Sequence, residues 1–190
     1  MAKKLPIVKY GAEVLREKAE PVAEVTQELR DLAEKMIDTM HAAEGVGLAA
    51  EQVGRKEAIC VLDVPEEYDR DKEGLRLNPD VEMPLVLVNP LIVRASKESE
   101  SLSEGCLSFP DITGTVRRPK TIDLEYLGLD NQKKAITLTG FYARAAQHEI
   151  DHLEGKVFTD RLSSLRRTMI KRKLNDVAAG KVRTLYRMKR

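Results

Sequence analysis

The chain has 190 residues, 42% of them hydrophobic and 33% charged, with a formal net charge of +1. That length suits one domain with its own core, and the composition fits a globular protein. No apolar run approaches the roughly 18–20 residues that a membrane-spanning helix needs. The opening MAKKLPIVKYG lacks the apolar core of a secretion signal and the Arg/Ser-rich character of a transit peptide. A cytoplasmic location is expected, with both cysteines reduced. Neither a membrane nor DNA is expected as a partner.

From 26 to 43, Leu29, Leu32, Ala33, Met36, Ile37 and Met40 fall at helical spacing. Thr26 suits the N-cap and Gly45 the stop. GVGLAAEQVG (45–54) then reads as a Gly-bounded loop leading to a strand around 57–64, with Cys60 a buried, inert thiol. Residues 65–84, charged and holding Pro65, Gly74, Pro79 and Pro84, read as a surface loop. LVLVNPLIV (85–93) reads as one or two buried strands broken at Asn89-Pro90. TIDLEYLG (121–128) and KKAITLTG (133–140) read as strands joined by a turn at Asp130-Asn131, close enough to pair antiparallel. GFYARAAQHEIDHLEG then reads as a helix ending near Gly155.

The order helix, strands, central helix, tail predicts an α+β fold with mostly antiparallel strands around that central helix. In the tail, Ser163 or Ser164 caps a helix whose apolar stripe is Leu165, Met169, Leu174, Val177 and Ala178, with Gly180 ending it. The last ten residues are expected to fray. Residues 161–190 hold 11 Lys/Arg against one acid, Asp176, while the rest of the chain is acidic. The division expected is a catalytic metallohydrolase domain over 1–163 and a basic C-terminal helix and tail over 164–190.

Chemistry enters at HEIDH. On a helix, His148 and His152 share one face one turn apart, and they are two of the chain's three histidines. Such a pair needs a third metal ligand. No histidine follows His152, and Glu154 points to another helix face. Upstream stand His41, Cys60 and Cys106. His41 closes an amphipathic helix, where a solvated histidine is ordinary. Cys106 sits in SEGCLSFP, a polar Gly-containing stretch where a side chain can be aimed freely, and it is the favoured candidate. A thiolate and two imidazoles suit Zn²⁺ or Fe²⁺ and leave a fourth position open.

GVGLAAEQ (45–52), EGCLSFP (104–110) and QHEIDH (147–152), in that order, resemble the three signature motifs of the peptide deformylases. The resemblance spans the chain from the first helix to the HEIDH helix. It implies Cys106, His148 and His152 as ligands of one divalent ion, Fe²⁺ in the cell, with Zn²⁺, Ni²⁺ or Co²⁺ as substitutes. Glu149, beside His148, can turn toward the reacting water as general base and then protonate the leaving amine. The resemblance nominates the Gln52 side-chain amide and the Leu107 backbone N–H for the charge that builds on the carbonyl oxygen. It implies an N-formyl-methionyl nascent peptide as substrate and formate as product.

Substrate-binding residues implied are Gly45, Val46, Gly47, Gly105 and Ala145, with the aliphatic stem of Arg144 at the rim. The basic tail resembles the helical C-terminus of bacterial deformylases, which implies docking on the ribosome through rRNA phosphates. Two rival readings use the same motif. One is an HExxH metallopeptidase, which usually takes a different third ligand. The other is a non-enzymatic ribosome-associated zinc protein, which has no open coordination position. Neither needs Gln52 and EGCLS together.

Overall fold

Helix α1 (Gln27–Ala42) starts where its sequence places it, with the Thr26 side chain accepting from the Leu29 N–H. It belongs to a computed structural model that describes residues 4–189. Its apolar stripe, Leu29, Leu32, Ala33, Met36 and Met40, is buried against one face of a sheet. That sheet has five strands in the order β1 (Gly47–Ala49), β2 (Ile59–Leu62), β3 (Leu85–Ala95), β6 (Thr121–Leu127), β7 (Lys133–Thr139), all antiparallel. Two further strands, β4 (Ser99–Gly105) and β5 (Thr113–Pro119), form a separate hairpin.

Strand β2 shows how the layers are made. All four of its residues, ICVL, are buried, and alternate side chains enter opposite cores. Ile59 and Val61 join α1, while Cys60 and Leu62 join helix α2 (Gly140–Leu153) on the other face. Helix α2 carries Tyr142, Ala143, Ala146, Ile150 and Leu153 into that second core. Each Leu, Ile or Met so buried is worth about 1.5–3 kcal/mol. The polar residues of α2, Arg144, Gln147, His148, Glu149, Asp151 and His152, are buried too, and Arg144, His148 and Asp151 bond to partners on β4 and β5. Helix α3 (Ser164–Ala178), capped by Ser163, packs on a third cluster that includes Phe109, Val116 and Phe158. Among the described residues no helix is long and apolar enough to cross a membrane.

Several sequence expectations need correction. The 45–54 segment is not all loop: Gly47–Ala49 pairs with β2 and Ala50–Val53 forms a 3-10 turn. Its small residues hide a strand periodicity. The 65–84 stretch is not simply surface: Asp69 and Asn78 are buried, and Asn78 bonds both the Thr139 carbonyl and N–H, fixing the stretch to the start of α2. Residues 85–95 form one strand with a bulge at Asn89, whose φ is 49°, and Leu91 and Val93 beyond it are exposed rather than buried. The β4–β5 hairpin has no sequence forecast, because most of its side chains are polar and face solvent. In α3 the buried residues are Ile170, Leu174 and Val177, while Leu165 and Met169 are exposed.

Of the last ten residues, Arg190 lies outside the described residues and the others run as far as Lys189 against the N-terminal segment. The Ile7 N–H donates to the Arg187 carbonyl and the Lys189 N–H to the Ile7 carbonyl, at 2.8 and 2.7 Å. Those bonds pin the extended end to the N-terminal segment.

Candidate active site

Helix α2 sets His148 and His152 one turn apart, ring centroids 5.2 Å from each other. Cys106 immediately follows β4, and its Sγ lies 3.3 Å from His152 Nε2. One ligand atom from each of the three residues falls within a cluster no more than 4.8 Å across. Ligands at ordinary Zn–S and Zn–N bond lengths around a tetrahedral ion stand about 3.3–3.6 Å apart. The donor set therefore fits a single divalent cation.

The electrostatics agree. Burial, then the neighbouring His148, holds His152 well below the ordinary histidine range, as the neutral imidazole a metal needs. His152 Nδ1 has no hydrogen-bond partner. Burial also acts to lower His148, yet its hydrogen bonds with Cys106 and Glu104 push it up to about 10.

His148 is oriented from behind. Its Nδ1 lies 3.1 Å from Glu104 Oε2. A carboxylate only accepts, so Nδ1 carries a hydrogen toward Glu104, and a metal ion taking the place of the Nε2 proton would meet that nitrogen's lone pair. Burial tends to raise the Glu104 pKa, but hydrogen bonds from His148 and Arg118 hold it at about 2. The Arg118 guanidinium donates to Glu104 at 2.6 and 2.9 Å and to Asp151 at 2.8 Å. Asp151 in turn accepts from Arg161. A buried charge network thus ties the hairpin to α2 behind the ligands.

Glu149 lies 4% exposed, and its Oε2 has no partner. Burial, the largest influence, pushes its pKa up to about 7. A carboxylate so placed can take and return a proton near neutral pH. Gly47 makes room for it: a Cβ there would stand 2.8 Å from the Glu149 carboxyl carbon. Gln52 is oriented by its own turn. Its Oε1 accepts from the Ala49 N–H at 2.8 Å, so Nε2 points at Cys106 Sγ, 3.3 Å away, and at Ser108 Oγ. Among the described residues, no protein acceptor takes the Leu107 N–H.

A cavity of about 600 Å³ opens onto these groups. Its walls include Gly45, Val46, Gly47, Gln52, Gly105, Cys106, Leu107, Arg144, Ala145, His148 and Glu149. The structure therefore brings the sequence candidates together, with His152 behind the wall. Arg144 needs qualification. Its guanidinium is committed to Glu104 and to the Val116 and Glu100 carbonyls, so its charge is not free for a substrate. His41 pairs with Asp63 at 2.6 Å and stands apart from the trio. Cys60 is buried among apolar side chains, which raises its thiol well above the usual range. The 65–84 stretch reaches the rim indirectly, through Tyr68 stacked on the cavity-lining Phe141.

Sequence reasoning left roles unassigned to Glu104, Asp151, Arg118 and Tyr186. The first two lie inside EGCLSFP and HEIDH, where a charge that survives burial was the available signal. Arg118 and Tyr186 carry no comparable signal.

The sequence model described as polypeptide deformylase matches residues 4–168. A peptide deformylase of Salinibacter ruber is 42% identical over 183 residues, covering 96% of this chain and 92% of that protein. One from Christiangramia forsetii is 41% identical, covering 97% of this chain and 95% of that protein. Among solved structures, peptide deformylase from Ehrlichia chaffeensis superposes with a TM-score of 0.84 at 38% identity, over 94% of this chain and 99% of that one. The same enzyme in complex with actinonin gives 0.83 at 38% identity, over 95% of this chain and 99% of that one.

Proposed function

This chain belongs to the polypeptide deformylase family, and we propose that it performs that reaction through Cys106, His148 and His152 as metal ligands and Glu149 as proton carrier. The reaction removes the formyl group from the amino terminus of a new polypeptide. The observation that carries the assignment is the convergence of one thiol and two imidazoles within 4.8 Å beside a buried, unpartnered carboxylate. A divalent ion held there supplies Lewis acidity and makes water acidic enough to serve as nucleophile near neutral pH.

The remaining work falls to the protein's own groups. Glu149 takes the proton of the attacking water and passes it to the amine nitrogen as the C–N bond breaks, releasing formate. The Gln52 Nε2–H and the Leu107 N–H donate to the oxygen that gains negative charge. The Ala49 bond fixes the Gln52 amide plane beside the ligands, and one Nε2–H turns from Cys106 or Ser108 to that oxygen. Gly45 and Gly47 keep one wall low enough for the substrate backbone. Val46 and Ala145 offer apolar surface to the methionine side chain.

A formyl carbon carries only hydrogen, so a tight site beside the ligands would admit it and exclude acetyl. Assays of formyl-methionyl peptides against unformylated peptides test the reading. Formate release from the first class is expected, and internal cleavage of the second would favour a metallopeptidase.

We assign Fe²⁺ as the cellular ion, since a thiolate and two imidazoles suit it and the family resemblance favours it. Metal analysis of anaerobically purified protein checks this. We place the enzyme in the cytoplasm, where new chains emerge. The segment 164–190 is assigned as a basic arm, appended to the catalytic part, that meets ribosomal RNA. Lys171, Arg172 and Lys173 on α3 are exposed, which supports that role. Deleting the segment would strip Ile170, Leu174 and Val177 from the core, so charge reversal of the three basic residues is the sounder test. Salt-dependent co-sedimentation with ribosomes should fall, and unchanged binding would remove the role.

A further inference from the structure

The chain does not stop at α3. Beyond Gly180 it runs extended, with Val182, Thr184, Tyr186 and Met188 half-buried and the residues between them exposed. Three anchors hold this strap. Val182 packs on the third hydrophobic cluster. The Tyr186 hydroxyl donates to the Leu107 carbonyl at 2.7 Å. Arg187 and Lys189 exchange backbone bonds with Ile7. Between the anchors, Arg183, Thr184, Leu185 and Tyr186 border the same cavity that His148 and Glu149 open onto.

The strap lines the cavity without filling it, since about 600 Å³ remains. The family sequence match ends at residue 168, so this wall lies beyond the segment that carries the reaction's motifs. Its outward residues offer two kinds of contact. Leu185 is 92% exposed, an apolar group bordering the cavity. Arg183 is exposed and pairs with no carboxylate among the described residues. A cation so placed is available to whatever occupies the groove.

We propose that residues 183–186 form the outer wall of the substrate groove and that Arg183 favours acidic side chains in the polypeptide just after its formyl-methionine. This rests on the deformylase reading of the cavity. A peptide whose first residue sits beside His148 must continue outward at about 3.3–3.6 Å per residue, along the walls of that same opening. Glu44 and Asp111 also border the cavity and set a background preference. The informative quantity is therefore the change on altering Arg183, and not the absolute preference.

The test uses the full metal-loaded chain and formyl-methionyl peptides bearing Asp or Lys at the second, third or fourth position. The readout is the Asp-to-Lys ratio of kcat/KM for formate release. For Arg183→Glu the ratio is expected to fall by about three- to tenfold at one or more positions, mainly through KM, as befits a partly screened charge pair. Arg183→Ala should give a smaller fall of the same sign, and added salt should shrink both. A chain ending at Lys181 should lose the same preference. Should that shorter chain fail to fold, the two point variants, at an exposed position, still decide the matter. A change under about twofold at every position in both point variants overturns the proposal. Wild-type protein that releases no formate from any of these peptides overturns the deformylase reading instead, and the strap's role with it.

Discussion

Gly47→Ala is the sharpest perturbation of the site that adds only one methyl group. Gly47 lies on β1, paired with Leu62, so the backbone cannot retreat without breaking the sheet edge. Its φ lies outside the left-handed region, so alanine meets no backbone penalty there. The conflict is contact alone. The new Cβ would stand 2.8 Å from the Glu149 carboxyl carbon and 2.9 Å from its Cγ. Ordinary carbon contacts begin near 3.4–3.5 Å, so the Glu149 side chain must shift by roughly half an ångström or more. Helix α2 is buried throughout this turn and cannot follow.

A displacement of that size at a proton-carrying group should cost about ten- to a hundredfold in kcat. Overpacking should cost about 1–3 kcal/mol of stability. The metal ligands are untouched, so metal content should stay at one ion per chain. Formate-release kinetics, metal analysis and urea unfolding on the same preparation check all three. A kcat within about twofold of wild type, with metal bound, would refute the placement of Glu149 as the group that handles the proton.

Other outcomes follow from the same geometry. Glu149→Gln should keep the metal and lose about a hundredfold or more of kcat, measured by formate release. Cys106→Ser should lose the metal, since a neutral hydroxyl replaces a thiolate, as metal analysis after dialysis will read. Arg118→Ala leaves Glu104 and Asp151 buried without their shared partner, and urea unfolding should show a loss of about 3–5 kcal/mol. Glu51 supplies a pH test of stability. It is 1% exposed, neither carboxylate oxygen has a partner, and burial, the largest influence, raises its pKa to about 8. The folded state therefore holds a proton that the unfolded state releases above about pH 4.5, so stability should fall as pH rises from there toward 8. Glu51→Gln should raise the urea midpoint at pH 8.5 and change it far less at pH 5.

The elements legible in the sequence are those with a strong period or a hard stop. Thr26 and the Leu29–Met40 stripe define α1, and Asp130-Asn131 marks the turn between β6 and β7. The β4–β5 hairpin was not legible because SESLSEG and TGTVRRP present polar residues on the open face and bury mainly Glu104, Gly114, Val116 and Arg118. Burial of an arginine follows only from partners far along the chain, Glu104 and Asp151, which no local pattern announces. Leu165 and Met169 misled for a related reason. They keep helical spacing, yet the face of α3 that meets Phe109 and Phe158 runs through Ile170, Leu174 and Val177.

At the site, the spacing of HEIDH brought His148, His152 and Glu149 into view, elimination among the upstream candidates favoured Cys106, and Gln52 came only from the family resemblance. The strap over the cavity is held by backbone bonds to Ile7 and one tyrosine hydroxyl, and neither leaves a periodic trace.

The central claim is that one sulfur and two imidazole nitrogens share a cation. X-ray absorption at the metal edge of anaerobically purified protein reads that shell directly. One sulfur at about 2.3 Å and two imidazoles are expected, with the sulfur signal and the bound metal both lost in Cys106→Ser. A shell without sulfur, or metal retained in full by Cys106→Ser, would contradict the account.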